Sequence, residues 1–70
     1  MTTYKITIKD NSIPEHMQKT IPNFHNTYTA TIDGDNDFEV FSRIVRYLES
    51  MATELDTDPE SLEILSIIKQ

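Results

Sequence analysis

The sequence predicts a small α+β fold of order β-β-α-β, with a three-stranded antiparallel sheet covered on one face by one long helix. Three observations carry this. Tyr4–Lys9 and His25–Asp33 alternate apolar and polar residues with the period of half-buried strands. Phe38 to Leu55 repeats apolar residues with the period of a helix, and an isoleucine-rich segment follows at Leu62–Lys69. With 70 residues the chain is read as one domain, 1–70, near the size at which a single core only just suffices. It contains no cysteine, so neither a disulfide nor a thiolate metal site staples it, and stability rests on packing.

In the first strand, Tyr4, Ile6 and Ile8 share one face and Lys5, Thr7 and Lys9 the other, until Asp10-Asn11-Ser12 breaks the alternation. Residues 11–24 hold Pro14 and Pro22 and no clean period, which reads as a loop with one short helical turn around Glu15–Lys19. Its apolar residues Ile13, Met17, Ile21 and Phe24 are expected to pack. The second strand, 25–33, puts Tyr28, Ala30 and Ile32 on one face and Thr27, Thr29 and Thr31 on the other.

Asp33-Gly34-Asp35-Asn36 is turn chemistry, in which the chain's only glycine is expected to supply a positive φ. Asn36 followed by Glu39 fits a capping pair, and Asp37 suits the positive end of the helix dipole. Phe38, Phe41, Val45, Leu48, Ala52 and Leu55 then form a stripe that Ile44 and Met51 widen, and this stripe is expected to face the sheet. The 3-4 spacing also fits a coiled-coil seam, but the run is short and one stripe cannot serve both a core and a seam. DTDPES (56–61) ends the helix. The segment 62–69 is open between two readings. Asp58-Pro59 would start a helix well, whereas its isoleucines favour a strand that lies beside the first, in the order 2-1-3.

Charge is distributed unevenly. Residues 1–30 sum to +1, residues 31–63 sum to −8, and Lys69 completes the net −6. This balance argues against direct nucleic-acid binding, which needs cations against phosphates, and against an anionic membrane surface. By sign, the natural partner is a basic protein surface. No apolar run reaches membrane-spanning length and the N-terminus lacks a hydrophobic signal core, so a cytoplasmic protein is expected.

Little points to chemistry. Counting a calcium loop from Asp33 places Phe38 and Ile44 where glycine and glutamate belong, so Asp33, Asp35 and Asp37 read as a turn and helix cap. His16 and His25 lack the spacing of a metal pair, and no serine is flanked by the glycines of a nucleophile elbow. No enzyme, metal or cofactor is expected. The candidates for partner binding are Asp33, Asp35, Asp37 and Glu39 at one end of the helix and Asp56, Asp58 and Glu60 at the other. Tyr47, read as exposed beside the stripe, is a candidate anchor.

The strand YKITIKD, the acidic turn DGDND, the helix FEVFSRIVRYLESMATEL and the terminal LEILSIIK resemble, as an ensemble, small phage-encoded inhibitors. Anti-CRISPR proteins and phage inhibitors of bacterial RNA polymerase are of this kind. The likeness is one of architecture and charge and carries over no residue by motif. It implies a non-enzymatic protein that blocks a basic, nucleic-acid-handling site on a host protein or ribonucleoprotein, with carboxylates imitating phosphates. The alternative is a small homo-oligomeric structural or adaptor protein whose acidity serves solubility. A homodimer would then form through a strand edge or through Met51, Ile44 and Tyr47.

Overall fold

A computed structural model describes residues 1–22 and 24–70. Asn23, part of the loop read over 11–24, lies outside the described residues. The elements run β1 (Thr2–Asp10), α1 (Glu15–Gln18), β2 (Thr27–Gly34), α2 (Asp37–Glu54), a 3₁₀ turn (Pro59–Ser61) and β3 (Leu62–Lys69). The last segment is therefore a strand, and Asp58-Pro59 starts only the 3₁₀ turn before it. Both neighbours of β1 run antiparallel to it, in the order β2-β1-β3.

The alternation in β1 decides which face is buried. Ile6 and Ile8 are completely covered, whereas Lys5 is exposed on the other side. Ile6 lies between Ala30 and Ile67, and Ile8 between Tyr28 and Ile64. The opposite face, with Lys5, Thr29 and Thr31, is bare. β3 bulges opposite Thr7 and Ile8, which takes up one extra residue at Leu65. At the end of β1 the Asp10 carboxylate, 3% exposed, accepts the Ser12 N–H at 2.8 Å and turns the chain out of the sheet.

α2 lies over β2 and β1 rather than over β3. Its buried residues are Val40, Ile44, Met51 and Ala52, with Tyr47, Leu48 and Leu55 packed partly against them. This corrects the expected stripe. Phe38 is 82% exposed, and Phe41 and Val45 also stand largely in solvent. At 3.6 residues per turn, Phe41, Val45 and Phe38 lie about 80°, 120° and 140° around the helix from the mean direction of Val40, Ile44 and Met51. The helix is apolar over a broader arc than the sheet covers, and the uncovered part faces away from the β2 side.

Gly34 sets the helix phase by a different route from the one expected. It has no positive φ; it ends β2 as an ordinary, buried strand residue. A Cβ there would stand 3.1 Å from both the Val40 backbone N and its Cγ2. The missing side chain lets the first turn of α2 sit directly on the strand, with Val40 inward. Among the described residues the positive φ belongs instead to Asp56, at 54°. There the Asp56 N–H bonds Thr53 and the Thr57 N–H bonds Ala52, at 3.2 and 2.9 Å. These are the paired bonds of a Schellman cap, with an aspartate where glycine is usual.

The loop covers less than expected. Ile13 and Phe24 are half-buried, but Met17 and Ile21 are exposed. Its helical turn, α1, spans four residues and has no buried member.

Candidate interaction surface

The two acidic groups sit at opposite ends of α2. Its 18 residues span about 27 Å at 1.5 Å per residue. They are held differently.

At the N-terminal end the carboxylates are engaged in folding. The Asn36 side chain caps the helix by accepting the Glu39 N–H at 2.9 Å. Glu39 pairs with Arg43 at 2.7 Å, one turn on. Asp37 accepts the Tyr4 hydroxyl at 3.0 Å and faces the Lys69 ammonium at 3.5 Å. Partial burial, and after it the Asp37 carboxylate, raise the Tyr4 phenol above its ordinary pKa, with Lys69 pulling the other way. Both paired acids lie in the first turn, where the helix dipole favours negative charge. Asp33 and Asp35 are exposed beside them and, among the described residues, make no salt bridge.

At the C-terminal end no such compensation exists among the described residues. Asp56, Asp58 and Glu60 are exposed, and Glu54 precedes them in the last turn. None has a cation within salt-bridge distance, and the last turn of α2 carries no basic residue. The negative end of the helix dipole adds its own potential. Asp56, Thr57 and Asp58 line a shallow surface depression with Ala52 and Thr53.

Tyr47 is not the exposed aromatic that was expected. It is half-buried, packed against the core, and borders an open groove with Thr31, Asp33, Arg43 and Arg46. Among the described residues no group of three or more His, Cys, Asp or Glu is placed to hold a metal. No helix is long and apolar enough to cross a membrane.

The sequence reading missed a second surface, made of Phe38, Phe41 and Val45 on α2 and Ile67 on the helix side of β3, all exposed; Ile68 is exposed on the opposite face of the same strand. Tyr4 connects its two parts: its ring lies 5.5 Å from Phe41, and its strand partner is Lys69. The available signal was the helix itself, whose apolar arc is too broad for one sheet face. Comparison with protein-family models, curated proteins and solved structures finds no match.

Proposed function

We propose that this protein is a non-enzymatic inhibitor that docks its acidic surface on a basic, nucleic-acid-handling site of a host protein or ribonucleoprotein. A phage-encoded anti-CRISPR protein, or a similar takeover protein acting in the host cytoplasm, fits that description. One observation carries the reading: the uncompensated anionic end at Asp56, Asp58 and Glu60 works against stability. Asp56 occupies a left-handed backbone conformation that glycine adopts without strain. Asp56 also meets the negative end of the α2 dipole, and Asp58 and Glu60, at the start of the 3₁₀ turn, add further unpaired charge beside it. Solubility alone does not require acids at the positions where the fold tolerates them least, whereas a cationic partner would repay that cost. Asp33 and Asp35, at the far end of the same rigid rod, give a second anionic contact.

The test is capture of tagged protein from bacterial lysate, with and without nuclease treatment, followed by competition of the recovered complex with duplex DNA. Recovery of a nucleic-acid-binding complex that improves after nuclease and is competed by DNA is the expected result. The triple variant D56N/D58N/E60Q should weaken that binding at least tenfold and flatten its salt dependence. Unchanged binding by the folded triple variant would remove the C-terminal acidic end from the proposal. The homo-oligomeric alternative is favoured by a different observation, the free edge of β3.

A further inference from the structure

The two edges of the sheet are not equivalent. The Asp10 N–H bonds the Asn26 carbonyl, so even-numbered residues of β1 bond β2. The Asn11 N–H bonds Ser61, and the Gln70 N–H bonds Thr3, so odd-numbered residues of β1 bond β3. On β2 the outward-facing peptide groups are therefore those of Thr27, Thr29, Thr31 and Asp33. Arg43 reaches over this edge and donates to the Asp33 carbonyl at 2.6 Å, and Arg46 lies beside it over the same groove. Charged side chains of this kind protect an edge from further pairing.

On the β3 edge, among the described residues, no side chain bonds an outward-facing carbonyl as Arg43 does, and the one cation there, Lys69, is turned toward Asp37. Ser66 and Ile68 turn their peptide groups to β1, and Ile67 and Lys69 turn theirs to solvent. Side chains on both faces are apolar here: Ile67 is on the helix side and Ile68, opposite Lys5, is on the bare side. Both are exposed. The bulge lies outside this stretch, toward Leu65.

We propose that β3 pairs antiparallel with β3 of a second copy of this chain, about a two-fold axis at Ile68. Ile68 then meets its symmetry mate on the bare face as a close, non-hydrogen-bonded pair. Ile67 of each copy exchanges peptide hydrogen bonds with Lys69 of the other. The three-stranded sheet becomes a continuous six-stranded one, and each Phe41 and Phe38 borders a shared trough with Ile67 on its floor. A two-fold axis requires the same patch on both partners, and this segment meets that condition without a shift of register or face.

Charge selects the same partner. The axis lies at the least acidic corner of the molecule, where Lys5 neighbours Ile68 and Lys69 neutralises Asp37. The antiparallel arrangement holds the two Glu54–Glu63 acidic segments at opposite extremes, well beyond a Debye length of ~8 Å at physiological salt. The apolar side chains nearest the axis, Ile67 and Phe41 on the helix face and Ile68 on the bare face, supply a small interface, of the kind that associates weakly. The dimer is independent of the acidic docking proposed above.

Sedimentation equilibrium of the full chain, from about 10 µM to about 1 mM to bracket the affinity of a small interface, tests the dimer directly. The expected result is association from 8.1 kDa to twice that mass. Amide exchange of Ile67 and Lys69 should slow as concentration rises, while that of Thr29 and Thr31 does not. Ile68→Lys places like charges opposite one another across the axis and should weaken association at least tenfold. Ile67→Pro removes an edge donor that β1 does not use and should do the same, whereas Thr29→Lys on the β2 edge should not. A wild-type mass of 8.1 kDa throughout, concentration-independent exchange at Ile67 and Lys69, or a dimer that survives both β3 variants would each overturn the proposal.

Discussion

The two ends of α2 carry the same kind of side chain to opposite effect. At the start, the Asn36 cap, the Glu39–Arg43 pair and the Asp37 contacts with Tyr4 and Lys69 make negative charge part of the fold. At the finish, Asp56, Asp58 and Glu60 meet no cation among the described residues, and one of them sits at a φ of 54°. An acidic residue is thus a stabilising or a destabilising feature according to which pole of the helix it meets. Position, more than the net charge of −6, separates carboxylates that build the fold from those free to serve a partner.

The contrast is sharpest at the start of the helix, where the largest effect is expected. Gly34→Ala forces a Cβ to within 3.1 Å of the Val40 backbone, and a backbone atom cannot swing aside. The loss should be about 1–3 kcal/mol, typical of overpacking, read as a lower urea midpoint. A neutral or stabilising result would mean that the close approach of strand and helix does not constrain the fold.

Next in size is the cap. Asn36→Ala leaves the Glu39 N–H without its side-chain acceptor and should cost about 1 kcal/mol. The opposite sign is expected at the other end. Asp56→Gly relieves the left-handed strain and removes a charge from the negative pole, for a gain of about 0.5–1 kcal/mol, or a rise in Tm of about 2–8 °C for a domain of this size. The same substitution should weaken partner binding. A variant that gains stability and keeps full binding would separate the backbone strain from any role in docking.

The smallest effect concerns pH. The Tyr4 phenol has a raised pKa in the folded state, so the native protein holds this proton more tightly than the unfolded chain. The contribution is complete below the ordinary phenol pKa and is lost as pH rises through the folded value. Thermal unfolding followed above about pH 10 should show a falling Tm in the wild type and a shallower fall in Tyr4→Phe. Equal slopes would disconnect Tyr4 from alkaline stability.

Much of this was legible along the chain. The alternation Tyr4-Ile6-Ile8 and its counterpart in β2 specify inward faces because successive strand residues point to opposite sides, a local rule that needs no neighbour. Asn36 and Glu39 announce the helix start through a hydrogen bond spanning three residues. The charge asymmetry and the absence of cysteine are properties of the sequence as such. The acidic candidates could likewise be placed at the two helix ends, but their pairing could not, because Lys69 reaches Asp37 from the last strand.

What remained open depended on contacts between distant segments. LEILSIIK satisfies a helix and a strand equally well by period. It is a strand because β1 presents a second row of unsatisfied peptide groups, from Tyr4 to Asp10, that only another strand can pair. The phase of α2 was misread for a related reason. Val40, Phe41, Ile44 and Val45 span a broad apolar arc, and periodicity alone cannot say which half of it the sheet covers. Gly34 decides that by letting Val40 seat against the strand end, which turns Phe41 and Val45 toward solvent. Local patterns therefore determine which elements form, since they arise from bonds and side-chain directions within a few residues. Which faces meet, which acids are neutralised and which sheet edge stays open were decided only by tertiary packing, where volume and reach act between residues far apart in the chain.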